Sequence, residues 1–261
     1  MKIGFIGVGI IASHMVEGFC GLNKAHEFYL SPRNTERAAC LAGKYRNVTV
    51  CGHNQEVVDS ADLVFITLLP KDCLEVISGL RFRSEQDVIN VTASVTLSDI
   101  GAAAGPVRSL SHIVPLPFIS ARTGPIAAYP ESGLLKELLS PLGTVVFMRN
   151  MDEMRAAQAI TSLMSPFYEI LHRMVLFAES QGMQTAEATA YTTSFFRALC
   201  GHAMDFKEGS LHELAMEMTP GGLNELAYKT LTASGAIDQW GAVLGPIIEK
   251  IGVMSSLNSS S

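Results

Sequence analysis

The stretch KIGFIGVGIIA, residues 2–12, runs from an apolar segment into Gly7-Val8-Gly9-Ile10-Ile11-Ala12. In a G-x-G-x-x-A sequence the first glycine makes a tight turn and the second lets backbone approach a pyrophosphate. A small third residue then lets helix and strand pack closely. Phosphates placed there sit at a helix N-terminus, where unpaired N–H groups and the helix dipole favour negative charge. The chemistry implied is dinucleotide binding, with all six residues expected at the pyrophosphate.

A dinucleotide site needs a second feature about 20 residues on, an acid for the ribose hydroxyls of NAD or a basic residue for the 2′-phosphate of NADP. The segment there is YLSPRNTER, residues 29–37. Ser31 and Arg33 stand where the acid would be, so NADP is the expected cofactor.

Groups able to move a proton are fewer. His112, Tyr129, Tyr168 and His172 are the candidates should a carbonyl be reduced and its developing alkoxide need a donor. Nothing in the sequence fixes a partner for any of them, and no catalytic residue is assigned. No H-x-x-H, H-E-x-x-H or acidic ligand cluster occurs, so no catalytic metal is expected. The five cysteines lack C-x-x-C spacing and are odd in number, which suggests neither a disulfide framework nor a zinc site and points to a reducing, cytoplasmic location.

The elements that must position these residues fall into two textures. Seven β-rich runs, KIGFIG, EFYLS, VTVCG, LVFITLL, DVINVTA, SLSHIVPL and TVVFM, alternate with amphipathic segments. This is the pattern of a mostly parallel, doubly wound sheet with crossover helices. After Asn150 the sequence turns to long helical stretches, MDEMRAAQAITSLMSPFYEILHRMVLFAESQG, TAEATAYTTSFFRALCGHAMDF, GSLHELAMEM, GGLNELAYKTLTASG and AIDQWGAVLGPIIEKIG. The expected fold is therefore an α/β Rossmann domain over residues 1–150 followed by an all-α domain over 151–261. The stretch 185–206 is apolar around most of its circumference, and such a helix must be buried in a helical core or against a partner subunit. A dimer interface is the economical reading. Only the tail SSLNSSS, residues 255–261, has low complexity.

The composition closes off other classes. With 261 residues, 48% hydrophobic and 17% charged, the chain suits two ordered domains, and its formal charge of -6 without clustered Lys and Arg argues against nucleic acid. No apolar run reaches the roughly 18 residues of a membrane-spanning helix.

Four stretches in this order and spacing resemble the pyrroline-5-carboxylate reductases: KIGFIGVGIIA, HNQEVVDSADLVFITLLP (residues 53–70), VINVTASVTLSDI and TPGGLNELAYKTLTASGAI. The likeness runs from Met1 to about Gly252. It implies a Rossmann domain for NADPH and a helical domain that intertwines with a second subunit in a homodimer or higher homo-oligomer. It also implies cofactor contacts at Asn54, at Thr67, Leu68, Leu69 and Pro70, and at the turn of Thr92, Ala93 and Ser94 beside the nicotinamide. Across the dimer, the helix opened by Gly221 and Gly222 is implied to hold a substrate carboxylate on its N–H groups, with Leu223 and Asn224 next to it.

The chain also departs from the family pattern. Leu69-Pro70 replaces Lys-Pro, Val114 to Phe118 (VPLPF) replaces M-P-N-T-P, and Leu163 to Phe167 (LMSPF) replaces G-S-G-P-A. Leu223-Asn224 replaces Thr-Thr or Ala-Thr after the glycines. All four lie around the substrate region that the family implies. The reading is NADPH-dependent reduction of a C=N bond, in 1-pyrroline-5-carboxylate or a related cyclic imine carboxylate. Two alternatives are an NADP-dependent reductase of a keto or hydroxy acid and a non-catalytic NADP-binding homologue. The β-hydroxyacid dehydrogenases place a catalytic lysine in the first long helix, and residues 151–182 contain no lysine.

Overall fold

The computed structural model describes residues 1–22, 25–207 and 209–258. The strands are β1 (Lys2–Ile6), β2 (Glu27–Leu30), β3 (Val48–Val50), β4 (Leu63–Ile66), β5 (Asp87–Asn90), β6 (Ser109–Val114), β7 (Pro125–Tyr129) and β8 (Thr144–Phe147). They form one sheet in the order β3-β2-β1-β4-β5-β6-β7-β8, parallel throughout except for the antiparallel β6–β7 pair. Helices α1 (Ile10–Cys20), α2 (Thr35–Lys44), α3 (Asn54–Ser60), α4 (Pro70–Ser78), α5 (Leu97–Ala104) and α6 (Gly133–Leu139) make the crossovers. This is the expected α/β fold.

The central strands are apolar because both faces are covered. Every residue of β4 and β5 is buried, and β1 is buried from Ile3 onward. Phe5 of β1 and Phe65 of β4 are register partners with ring centres 4.8 Å apart and no exposed surface. Burial of each such side chain contributes about 2 kcal/mol. Strand order reverses direction at β1, with β2 on one side and β4 on the other, so the crevice of an open α/β sheet opens at the C-terminal ends of β1 and β4.

The sequence pattern misses β7. Pro125, Ala127 and Ala128 carry little β signal, yet proline is tolerated as the first residue of a strand, and Ile126, Ala127 and Ala128 are buried between β6 and β8.

The remaining helices are α7 (Met151–Thr161), α8 (Met164–Ser180), α9 (Thr185–Asp205), α10 (Leu211–Met216), α11 (Leu223–Ala233), α12 (Ala236–Ala242) and α13 (Leu244–Asn258). Two stretches read as single helices are each broken in two, and one cause explains both. Pro166 and Pro246 lack an N–H, and their rings would clash with the carbonyls four residues back, at Ser162 and Ala242, where the helices part. Each proline then sits in the first turn of the following helix, where it is tolerated. Helix α13 continues into the serine-rich tail as far as Asn258, and residues 259–261 of that tail lie outside the described residues.

The chain divides into two compact units, Met1–Gln158 with the segment from Ile247 onward, and Ala159–Pro246. In the second unit α8 packs on α9, with Phe167 and Phe196 edge to face at 5.9 Å. Burial of α9 in a helical core of its own chain does not occur: only Ala188 and Thr192 are buried, while Tyr191, Phe195 and Leu199 are 72%, 50% and 47% exposed.

Candidate functional site

Gly7 follows β1 with φ +96°, a conformation that L side chains rarely adopt, and a Cβ there would lie 2.8 Å from the Thr67 carbonyl oxygen. Gly9 differs. Its φ is -88°, and a Cβ on it would meet no atom within 4 Å, so its glycine identity leaves an open face rather than relieving a contact. Gly9 is also the N-cap of α1, and no side chain caps that terminus. An open backbone in front of uncapped N–H groups fits a dinucleotide pyrophosphate. Ile10 is exposed beside it, Ala12 is buried against the sheet, and Ile11 packs on the core. Val8 is 3% exposed, so its backbone alone can face a ligand.

The turn is held from two sides. The Thr67 hydroxyl, at the end of β4, contacts the carbonyl oxygens of Ile6 (3.1 Å) and Gly7. Ser31, at the end of β2, accepts the Gly7 N–H on its Oγ at 2.8 Å and is 1% exposed. Ser31 therefore braces the glycine turn from beneath, a role that its position in sequence did not announce. Arg33 is exposed, and its guanidinium donates to Asp72 Oδ2 of α4 at 2.8 Å. Asn34 caps α2 by accepting the Arg37 N–H. Asn54 is the first residue of α3, half-buried, behind an N-cap at His53 whose Nδ1 accepts the Glu56 N–H.

The ends of β4 and β5 are tied together. Thr92 is 2% exposed, and its Oγ1 donates to the Leu68 carbonyl at 3.1 Å, so its side chain serves the fold. Ala93 is exposed next to it, and Ser94 is held in the left-handed region at φ 61° while buried. Leu69 caps α4 without a side-chain hydrogen bond and is 62% exposed, and Pro70 is the first residue of that helix. A second helix N-terminus without a side-chain cap thus follows the neighbouring strand.

Asn90 organises this region, and sequence reasoning passed over it. Its Oδ1 accepts the Thr92 N–H at 2.9 Å, which fixes the amide orientation, and its Nδ2 donates to Val95 O and approaches His112 Nδ1 at 3.0 Å. The available signal was a polar residue closing a short strand with an apolar centre.

His112 is 2% exposed. Its Nδ1 lies 3.0 Å from Asn90 Nδ2 and its Nε2 3.4 Å from Nε2 of Gln158 on α7, so both ring nitrogens face protein groups. Burial pushes the imidazole down to about 4, against a smaller upward pull from the Asn90 backbone, so the ring is neutral at neutral pH. A buried, neutral imidazole whose ring nitrogens face Asn90 and Gln158 is poorly placed to protonate a ligand. Tyr129 is its cross-strand partner, half-buried, and Tyr168 and His172 lie exposed on α8. Burial lifts the thiols of Cys51 and Cys73 to about 11, which makes them poor nucleophiles. Among the described residues no three His, Cys, Asp or Glu side chains are grouped to hold a metal, and no helix is long and apolar enough to cross a membrane.

In the second unit the proline-glycine turn precedes α11. Pro220 lies two residues before the N-cap, outside the helix. Gly221 has φ +75°, and a Cβ on Gly222, the N-cap, would lie 2.9 Å from the Thr219 carbonyl oxygen, so both glycines have conformational reasons for being there. Leu223 is 85% exposed and Asn224 is exposed. Glu225 of the first turn bends back so that its Oε2 accepts the Gly221 N–H at 2.6 Å, while Oε1 pairs with Lys229 at 2.7 Å. Lys229, followed by the Gly221 N–H, holds the Glu225 carboxyl below its usual range. An internal carboxylate therefore already lies on one N–H of the implied substrate anchor.

Residues 2–94 match the family model described as NADP oxidoreductase coenzyme F420-dependent. Pyrroline-5-carboxylate reductase 2 of Bacillus subtilis (strain 168) is 27% identical over 249 residues, covering 89% of this chain and 87% of its own. Over nearly its whole length the chain is similar to the pyrroline-5-carboxylate reductases. Its fold is that of 1-pyrroline-5-carboxylate reductase from Streptococcus pyogenes, with a TM-score of 0.83 at 21% identity over 97% of this chain and 98% of the other. The Plasmodium falciparum pyrroline carboxylate reductase with NADP bound superposes with a TM-score of 0.82 at 13% identity, over 98% of each chain.

Proposed function

We propose that the chain is an NADPH-dependent reductase of a C=N bond that converts 1-pyrroline-5-carboxylate, or a closely related cyclic imine carboxylate, to the saturated amine. The observation that carries this reading is the glycine turn at the sheet's switch point. Gly7 is forced by backbone geometry, whereas Gly9 is glycine only to keep a face open before the uncapped α1 terminus. The similarity to the Bacillus subtilis reductase over nearly the whole chain supports the reaction class.

When bound, the nicotinamide dinucleotide supplies a hydride. The N–H groups of the first turn of α1 hold the pyrophosphate, Arg33 takes the 2′-phosphate, and the backbone of Leu68, Leu69, Thr92 and Ala93 lines the nicotinamide side. Asn54 and Pro70 complete the cofactor contacts. Residues 1–150 thus serve as the cofactor domain, and residues 151–261 bind substrate and pair subunits. A protonated cyclic imine is already electrophilic, so the protein needs to position the reacting carbon more than to supply a strong acid. Gly221, Gly222, Leu223 and Asn224 form the anchor for the substrate carboxylate.

The helical unit supports self-association. Exposed Tyr191, Phe195 and Leu199 recur at four-residue spacing along α9, and exposed Phe177 of α8 adds to the apolar surface of the unit. A second copy covering this surface makes the enzyme a homodimer or larger homo-oligomer. Five free cysteines support a reducing, cytoplasmic setting.

NADPH oxidation with 1-pyrroline-5-carboxylate, carboxylate-free cyclic imines and α-keto acids tests the reading. Turnover of the first supports it, whereas turnover of keto acids alone, or tight NADPH binding without turnover of any substrate, overturns it.

A further inference from the structure

Arg33 follows β2 and Asp72 lies in the first turn of α4, which follows β4. In the sheet β2 and β4 flank β1, with Leu30 and Phe65 both opposite Phe5, so the two segments stand roughly 10 Å apart on either side of the glycine turn. The Arg33–Asp72 ion pair, 2.8 Å long, spans that distance and links the two sides of the crevice. Its members are unequally placed: the Arg33 side chain is 71% exposed and that of Asp72 23%. The arginine therefore reaches across to a carboxylate that the fold holds more firmly.

A guanidinium serves carboxylate and phosphate with the same fork of N–H donors. The residue expected to distinguish NADPH from NADH thus already has an anionic partner supplied by the chain. Lys71 and Arg37 are exposed nearby in sequence, but no ion pair assigns either of them to Asp72.

We propose that Asp72 sets the cofactor preference by occupying Arg33 as an internal counterpart of the 2′-phosphate. Cofactor binding then exchanges one charge-assisted contact for another, so Arg33 contributes less discrimination between NADPH and NADH than an unpaired arginine. Asp72 acts through Arg33 and is a specificity-determining residue with no role in the hydride step. The inference rests on the NADPH reading above.

The test uses the full-length protein and titrates NADPH, NADH and adenosine 2′,5′-bisphosphate against wild type, Asp72→Asn, Arg33→Ala and the double variant. Release of an exposed pair is expected to tighten NADPH and the bisphosphate by about two- to fivefold in Asp72→Asn. NADH binding stays unchanged, which also reports that the variant is folded, and the gain disappears in the Arg33→Ala background. Unchanged or weakened NADPH binding in Asp72→Asn overturns the proposal, as does an equal change for NADH. Those outcomes leave the NADPH reading standing if the wild type binds NADPH. A wild type that binds neither dinucleotide overturns both.

Discussion

At neutral pH the His112 imidazole is uncharged inside the fold, and its ordinary value of 6.5 in the unfolded chain falls to about 4 on folding. Across this interval the unfolded state takes up a proton that the folded state refuses. Stability contributed by the neutral ring is complete above pH 6.5 and is lost as the pH falls toward 4. Between pH 7.5 and pH 5 the loss comes to about 2 kcal/mol, which lowers the melting temperature by about 4–8 °C for a domain of this size. Thermal melts of wild type and His112→Gln measure it. The variant is expected to be less stable at pH 7.5 yet to show a flatter profile down to pH 5. An equally steep profile in both proteins would mean that another group carries the acid sensitivity.

At the scale of the element, the two glycines of the β1–α1 turn separate folding from binding. Gly7→Ala places a Cβ against the Thr67 carbonyl in a left-handed backbone and is expected to cost about 2 kcal/mol or more. Gly9→Ala enters open space at φ -88°. It should melt within about 1 °C of wild type while raising the Kd for NADPH about tenfold, because the methyl would stand where the pyrophosphate is proposed to approach. Calorimetry and cofactor titration on both variants check this, and a Gly9→Ala protein with normal NADPH affinity would remove the pyrophosphate from that turn.

The N-terminus of α11 poses the opposite question, since there a side chain already faces the proposed anchor. If the proposed anchor holds the substrate carboxylate, the Glu225 carboxylate on the Gly221 N–H competes with it, and Glu225→Gln is expected to lower KM for 1-pyrroline-5-carboxylate about two- to fivefold with kcat unchanged. Steady-state kinetics decide it, and a raised KM would make Glu225 part of the substrate's support instead. Features set by local pattern were readable in the sequence: the glycine turn, the alternation of strands and helices, and the switch to an all-helical second half. Features set by what a side chain meets across the fold were not. The hydroxyl of Ser31 turned beneath Gly7, Asn90 bonded His112, and Asp72 reached Arg33 from 39 positions away. Nothing in local spacing encodes such partners, and the alanines of β7 carry too little pattern to mark a strand that its neighbours create.

The whole molecule presents an imbalance between its units. The sheet's strands and crossover helices bury Phe5, Phe19, Phe28 and Phe65 completely, whereas α8 has no buried residue and α9 has two. Phe177, Tyr191 and Phe195 stand at least half exposed on these helices. Covering side chains of this kind is worth about 2 kcal/mol each, and an isolated chain forgoes that stabilisation. A second copy laid against the same helices recovers it symmetrically, since a two-fold interface uses one patch twice. Light scattering at micromolar concentration is therefore expected to give a mass at least twice the 28.1 kDa of the chain. Tyr191→Glu places a charge on the exposed α9 stripe without altering the buried Ala188–Thr192 side of that helix. It should shift the protein toward monomer and lower reductase activity at low protein concentration, with activity returning as concentration rises. NADPH binding should persist in the monomer, because every proposed cofactor contact lies on the first unit. A monomeric wild type with full activity would show instead that these helices need no second copy.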